Sequence, residues 1–174
     1  MNFEIRRAGL TDVDEIAAAH LDSIRSIGPQ YYTAAIVTDW GALVKGELYA
    51  NAMARGEVFF VAVGELGSKP AVLGFSSHRV DGQVHGTAVY VRGQAARLGI
   101  GSALFRAAEG AAKDAGATTI DIDASLAAVE FYKAHGFEEL GRGAHPLRSG
   151  GSMACVFMRK NLGVPGPSVP SHPA

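Results

Sequence analysis

The stretch ARLGIGS at residues 96–102 decides the fold of this 174-residue chain. It follows a β-like run, Val84 to Arg92, and leads into a helical run, Ser102 to Gly116. The first amides of a helix have no hydrogen-bond partner inside it, and they carry the positive end of the helix dipole. The two glycines let a ligand approach the main chain closely. The stretch therefore predicts a strand, a turn that binds a phosphate or pyrophosphate, and a helix.

Composition narrows the class of protein. The chain has a formal net charge of −1 and one cysteine, Cys155, so neither nucleic-acid binding nor an internal disulfide is expected. Its length suits about one domain with a full core, in which Cys155 is expected to lie. No apolar run reaches the roughly 20 residues of a membrane span, and Met1 to Leu10 lacks a signal-peptide pattern. We therefore expect a cytoplasmic protein that does not bind membranes.

Hydrophobic periodicity predicts alternating strands and helices. The predicted strands are Phe3 to Arg7, Val58 to Val63, Val72 to Val80, Val84 to Arg92, Thr118 to Asp123, Phe137 to Gly141 and Met153 to Lys160. The predicted helices are one capped by Thr11-Asp12 and ended by Gly28-Pro29, then Thr33 to Ala54, Ser102 to Gly116 and Ser125 to His135. Residues 163–174 hold four prolines and no core pattern, which predicts a disordered tail after a single domain over residues 1–162.

Two motifs make the chain resemble the GNAT superfamily of acetyl-CoA-dependent N-acetyltransferases, from about Phe3 to Leu162. The family's cofactor turn, Gln/Arg-x-x-Gly-x-Gly/Ala, matches residues 96–101, and VYV at 89–91 matches the strand end before it. The family's second motif, Asn-x-x-Ala-x-x-x-Tyr ending in Gly-Phe, matches SLAAVEFYKAHGF at 125–137. The chain departs from the family pattern at Ala96, where Gln or Arg is common, and at Ser125, where Asn is common.

The resemblance implies a GNAT-like α/β fold, with a mixed, mostly antiparallel sheet of six to seven strands flanked by about four helices. It implies transfer of an acetyl group from acetyl-CoA to a primary amine by direct nucleophilic attack. It allows a homodimer and does not identify the amine, which is a small molecule or a peptide. The expected cofactor contacts are Val89, Tyr90, Val91, Arg97, Leu98, Gly99, Ile100, Gly101, Ser102, Ser125, Ala128 and Tyr132. Ser125 has a second interpretation, as the N-cap of the last helix.

An amine that attacks a thioester needs an acid, an oxyanion donor and a base. Tyr132, on one helix face with two residues of the second motif, is the candidate acid for the leaving sulfur; aromatic packing is its alternative role. A main-chain N–H near Val91 is the expected oxyanion donor. The base is left open between His85, at a strand start, and Asp123, at a strand end. His85 as a solvated side chain, Asp123 as a turn residue and proton loss to water are the alternatives.

The acceptor pocket is expected between the two N-terminal helices and the sheet. Tyr31, Tyr32 and Trp40 are its candidate lining residues, because aromatic rings with polar tips suit an amine. A core position is the alternative for Trp40. Glu57 is interpreted as a surface charge, and His145 is predicted to lie in a loop. The six histidines have no metal-binding spacing, so no metal site is expected.

Two other functions fit parts of the sequence. A dinucleotide-binding protein has a similar order of strand, Gly99-x-Gly101, helix, strand and acidic residue. Against it, the third glycine position holds a leucine, and seven residues separate the strand end from the first glycine. A catalytically silent acyl-CoA sensor is the other alternative, which keeps the cofactor turn and lacks turnover.

Overall fold

The computed structural model describes residues 2–164, which contain seven strands and five α-helices. The strands are β1 (Phe3–Arg7), β2 (Val58–Leu66), β3 (Lys69–Asp81), β4 (Val84–Val91), β5 (Thr119–Ser125), β6 (Glu138–Pro146) and β7 (Ser152–Asn161). The helices are α1 (Val13–Ile27), α2 (Ala34–Gly41), α3 (Gly46–Ala54), α4 (Ile100–Asp114) and α5 (Val129–Ala134). The last ten residues of the predicted tail, 165–174, lie outside the described residues. None of the described helices is both long and apolar enough to cross a membrane.

All seven strands belong to one sheet, in the order β1-β2-β3-β4-β5-β7-β6. Neighbouring strands are antiparallel except β4 and β5, which are parallel. The strands predicted at Val58 to Val63 and Val72 to Val80 correspond to β2 and β3, which form an antiparallel hairpin and extend beyond the predicted bounds. The mixed, mostly antiparallel sheet with flanking helices is therefore confirmed.

The helices cover both faces of the sheet. Phe75 and Ser76 are consecutive in β3, so their side chains point to opposite faces. Phe75 packs with α1 and α3, whereas the Ser76 hydroxyl donates to Leu104 O in α4 at 2.7 Å. The helix α5 shares the apolar cluster of α4. Cys155 is buried in β7, as the sequence predicts.

The prediction of one helix over Thr33 to Ala54 is wrong. The chain leaves the helical conformation between α2 and α3, where Val44 N donates to Gly41 O at 3.2 Å and Lys45 is extended. This turn buries the Val44 side chain in the core. Apolar spacing continues through the break, so periodicity alone does not reveal it.

The last helix also begins later than predicted. Ser125 still belongs to β5, where it pairs with Cys155, and Ala128 is the N-cap of α5. The main chain closes the intervening turn itself, because Ala128 N donates to Ser125 O at 2.9 Å. The interpretation of Ser125 as a helix cap is therefore wrong.

The strands β4 and β5 diverge after a single bridge. Within residues 2–164 they pair only at Gly86 and Asp121. Arg92 N donates to a β3 carbonyl at 2.8 Å. In an antiparallel pair, every second residue of a strand is hydrogen-bonded to the neighbouring strand, so this bond fixes which amides of β4 face β3. By that alternation the amides of Val89 and Val91 face away from β3. The gap between the C-terminal ends of β4 and β5 is therefore lined by main-chain groups without partners in the sheet.

Candidate functional site

The turn between β4 and α4 presents a row of main-chain amides. Among the described residues, the first amide after Ala96 that donates to a main-chain carbonyl is that of Ala103, to Gly99 O at 3.1 Å. The six amides of residues 97–102 are therefore available to an anion. Gly99 has φ +82° and Arg97 has φ +65°, a left-handed conformation that few residues other than glycine adopt. These two residues make the sharp turn into α4.

The N-terminus of α4 lies close to α5. A Cβ added at Gly101 would lie 3.2 Å from Phe131 Cε2, so a side chain at this position has little room. His135 joins the two helices, because its Nε2 lies 3.0 Å from Ser102 Oγ and its Nδ1 lies 2.8 Å from Phe131 O. The amides thus lie where the N-terminus of α4 packs against α5.

Two cavities meet at the gap between β4 and β5. The first cavity, of about 280 Å³, extends from the amide turn along the end of β4 and residues 125–128. The second cavity, of about 440 Å³, lies among α1, α3, β3, β5 and the β6–β7 loop. The residues that line both are Trp40, Val89, Tyr90, Ser125 and Ala128. A chain bound in the first cavity can therefore present its end to a molecule bound in the second.

Tyr132 lines the second cavity from the α5 side of the gap. Its ring is buried among Phe105, Phe131 and Phe137, at 5% exposure. Burial raises the pKa of the phenol above its ordinary value, and a backbone hydrogen bond with Val89 acts in the opposite direction. The ring thus has the packing role that the sequence allows, and its hydroxyl stays protonated at the gap.

Asp123 and His145 form a pair at the second cavity. Asp123 Oδ2 lies 2.9 Å from His145 Nδ1, and their side chains are 40% and 44% exposed. The prediction of a loop at His145 is wrong, because β6 continues to Pro146 and pairs His145 with Met153. The glycines and the proline of this segment are typical of a loop, so the local sequence gave no signal for the pair.

The other candidate base, His85, lies outside both cavities. Its Nδ1 lies 3.0 Å from His78 Nε2, and the two rings are stacked with centroids 5.2 Å apart. Burial and the neighbouring His85 lower the pKa of His78. The structure therefore places His85 in a histidine pair and not beside Tyr132.

The three candidate acceptor residues are placed differently. Tyr31 is exposed and lines neither cavity. The Tyr32 hydroxyl donates to Ala154 O and accepts from Leu126 N, each at 2.7 Å, so it connects β7 with the turn before α5. Trp40 lines both cavities. Of the three, only Trp40 lies at the junction.

The second cavity contains charged and polar side chains that the sequence did not single out. His20 Nδ1 lies 2.6 Å from the Tyr49 hydroxyl, and burial lowers the pKa of His20 to about 3. The two arginines Arg79 and Arg148 line the same cavity. Glu57, interpreted from sequence as a surface charge, also lines it and is half-buried. These side chains come from five separate segments, so no local motif marks them.

The described residues contain no group of three or more His, Cys, Asp or Glu side chains placed to hold an ion. The polar groups that line the two cavities include main-chain amides, the Tyr132 phenol, the Asp123–His145 pair and guanidinium groups.

Comparisons with known proteins bear on the family and the fold. A family model described as "Acetyltransferase (GNAT) domain" matches residues 30–153. No curated protein matches the sequence. Similar solved structures include one described as a GCN5-related N-acetyltransferase, "Aminotransferase, Class-II", from Rhodopseudomonas palustris. It has 24% identity and a TM-score of 0.77, over 93% of this chain and 97% of that chain.

Two further similar structures were solved with a ligand. The PaiA N-acetyltransferase of Thermoplasma acidophilum, in complex with coenzyme A, has 18% identity and a TM-score of 0.71, over 92% of this chain and 99% of that chain. A phosphinothricin acetyltransferase of Sinorhizobium meliloti, in complex with AcCoA, has 20% identity and a TM-score of 0.67, over 97% and 96%. At these identities the likeness to solved structures shows the fold alone.

Proposed function

The chain belongs to the GNAT acetyltransferase family, and from this premise we propose that it moves an acetyl group from acetyl-CoA to a primary amine by direct attack. It is an acyltransferase, and acetyl-CoA is its cosubstrate. The observation that carries the proposed reaction is the junction of two cavities at the gap between β4 and β5. We propose that one domain over residues 1–162 performs the whole reaction.

We assign the first cavity to the cofactor. The six amides of residues 97–102 would hold its diphosphate, because they lie at a helix N-terminus and have no main-chain acceptor of their own. The end of β4 and residues 125–128 would hold the arm that carries the acyl group. When bound, acetyl-CoA supplies an acyl thioester that an amine can attack. The individual contacts proposed are Val89, Tyr90, Val91, Arg97, Leu98, Gly99, Ile100, Gly101, Ser102, Ser125, Ala128 and Tyr132.

The acid and the oxyanion donor are proposed on the two sides of the gap. The amide of Val91 faces the gap by the alternation of β4, so it can donate to an oxygen that becomes negative there. The raised pKa of Tyr132 keeps its hydroxyl protonated and able to give a proton to the departing sulfur. These two groups act on different atoms of the same reacting centre.

We propose the Asp123–His145 pair as the base. With Nδ1 hydrogen-bonded to the Asp123 carboxylate, His145 carries its proton on Nδ1 and leaves Nε2 free to take a proton from the amine. Asp123 thus acts as a positioning residue in this mechanism. His85 is left out, since it lines neither cavity.

The test is thiol release from acetyl-CoA across a panel of amines, on the wild-type protein and on Tyr132→Phe. We expect release with at least one amine class. Tyr132→Phe should lose about 100-fold in kcat and much less in affinity for coenzyme A, because the ring is kept and only the hydroxyl is removed. The matched control is Tyr31→Phe, which removes a hydroxyl outside both cavities and should leave kcat unchanged.

Tight binding of coenzyme A with no thiol release for any amine would instead identify a silent acyl-CoA sensor. Calorimetry with coenzyme A and with a nicotinamide dinucleotide separates both of these functions from dinucleotide binding. Preference for the dinucleotide would overturn the assignment of the first cavity.

A further inference from the structure

We propose that the amine acceptor carries an oxyanion, a carboxylate or a phosphonate, which Arg79 and Arg148 bind in the second cavity. This inference rests on the proposed function, because it assigns the second cavity to the acceptor. It names a substrate class for the second cavity. Neither the family match nor the similar structures assign a substrate to this chain.

The charges that face the second cavity leave a positive balance. Three arginines line it, against the carboxylates of Glu57 and Asp123. With the histidines neutral, these five groups give the cavity a formal charge of +1. Arg55 and Glu57 lie in the same turn between α3 and β2, and Asp123 is hydrogen-bonded to His145. The other two arginines are Arg79, in β3, and Arg148, in the β6–β7 loop.

Neither of these two arginines has an ion-pair partner in the described part of the chain, unlike four arginines elsewhere. The paired arginines and their partners are Arg6 with Asp12, Arg92 with Glu15, Arg142 with Glu139, and Arg159 with Asp121. The guanidinium group is a strong donor to planar oxyanions, often through two parallel bonds. Two such groups without partners at one cavity are typical of a site for an acidic ligand.

Both arginine side chains are exposed, and they extend from segments that are themselves well ordered by packing or hydrogen bonding. The Arg79 guanidinium packs over the bare backbone of Gly86, where an added Cβ would lie 2.9 Å from Arg79 Cζ. Arg148 follows the buried Leu147 in a turn that Leu147 N closes by donating to Gly151 O at 2.7 Å. The cavity therefore offers these cations on fixed segments, from β3 on one side and from the β6–β7 loop on the other.

The charge of each arginine reaches the groups that line the cavity. The positive charge of Arg148 acts to lower the pKa of His20, Tyr49 and Tyr90, and that of Arg79 acts on Tyr90 and Tyr132. The same field attracts an anionic acceptor and repels a polycationic one. An acceptor with its oxyanion at the arginines and its amine at the gap satisfies both ends of the cavity.

The experiment compares acceptors that differ only in charge. The probes are ω-amino acids of two to six carbons, their carboxamides, the matching aminoalkylphosphonates, and spermidine as a polycation. For the wild-type protein we expect kcat/KM about tenfold higher for an acid than for its carboxamide, with spermidine the poorest acceptor. The two acidic series show which oxyanion fits better.

Arg79→Gln and Arg148→Gln should each reduce this preference for the acid, through KM rather than kcat. The control is Arg142→Gln, an exposed arginine of β6 outside both cavities, which should keep the preference. Trp40 is the only tryptophan of the chain and lines both cavities, so its fluorescence also reports acceptor binding without turnover. Thermal unfolding checks that the variants are folded.

Equal use and equal binding of acid and carboxamide by the wild-type protein would overturn the inference and leave the proposed function intact. The same holds for a preference that survives in both cavity-arginine variants. If no amine releases thiol while acids still bind about tenfold more tightly than carboxamides, the proposed function fails and the oxyanion site stands.

Discussion

The two cavities that meet at the gap between β4 and β5 are built in different ways. The first takes its anion-binding groups from six consecutive main-chain amides, residues 97–102. The second collects side chains from four helices, six strands and the β6–β7 loop, from His20 in α1 to Met153 in β7. Main-chain amides are present in every sequence, so only the glycine pattern that exposes them has to be encoded. A side-chain site instead needs each residue separately, which leaves its specificity open to change one residue at a time.

Of the substitutions considered, Gly101→Asp is expected to have the largest effect, which is a loss of cofactor binding in the first cavity. It places a carboxylate where the amides attract an anion, and its Cβ meets Phe131. The affinity for coenzyme A, measured by calorimetry, should fall by at least about 100-fold, because the added carboxylate lies at the positive end of the α4 dipole. Gly110→Asp is the matched control on the same helix, because a Cβ there meets nothing within 4 Å. An unchanged affinity for coenzyme A in a folded Gly101→Asp protein would contradict the assignment of the amides to the cofactor.

His145→Gln tests the second cavity in the same way. We expect kcat/KM near neutral pH to fall by about 100-fold, with affinity for coenzyme A unchanged. Asp123→Asn should give a smaller loss. His85→Gln, outside both cavities, is the control and should keep the wild-type kcat/KM.

Other titratable and charged groups line the same cavity as His145. They are His20, Tyr49, Arg55, Glu57, Arg79, Tyr90, Asp123, Tyr132 and Arg148. Of these, His20 has its pKa lowered to about 3, and Tyr49, Tyr90 and Tyr132 have theirs raised. Activity that survives in His145→Gln would assign the base to another of these groups.

His20, which lines the second cavity, makes the free energy of unfolding of the protein depend on pH. Its pKa is lowered to about 3 in the folded protein, so the unfolded chain binds a proton that the folded chain excludes. The stabilisation is complete above the ordinary histidine pKa and is lost as pH falls towards 3. By pH 4.5 the loss attributable to His20 should be about 2–3 kcal/mol. Urea unfolding of wild type and His20→Phe at pH 7 and 4.5 measures this difference. An equal change in the free energy of unfolding between the two pH values in both proteins would contradict the prediction.

Tyr32→Phe is expected to have the smallest effect, a modest loss of stability, because Tyr32 lines neither cavity. It removes the hydroxyl that connects Ala154 with Leu126, at a cost of about 1–2 kcal/mol in the free energy of unfolding. Coenzyme A affinity should change less than twofold, about 0.4 kcal/mol. Tyr31→Phe serves as the control in the same denaturant experiment. A large loss of cofactor affinity would mean that this bond also shapes the first cavity.

The difference between the cavities also decides what could be predicted from the sequence. The succession of strands and helices along the chain, the amide turn and the GNAT family follow from local patterns, because backbone conformation is set by neighbouring residues. The order of the strands in the sheet was not predicted. The break between α2 and α3 was missed, since it depends on burying Val44 against distant residues. His145 was missed because β6 is extended by its pairing with β7, which no local signal encodes. Trp40 lies at the junction whereas Tyr31 does not, and only the tertiary fold separates these similar aromatic residues.

The single bridge between β4 and β5 divides the sheet into a four-stranded half and a three-stranded half. A ligand that contacts both halves contributes its binding energy to holding them together. By linkage, a ligand at 100 times its dissociation constant adds about 2.7 kcal/mol to the stability of the fold. The melting temperature and protease resistance of this chain would then follow the supply of its acyl donor, which would make the lifetime of the enzyme sensitive to the metabolic state of the cell.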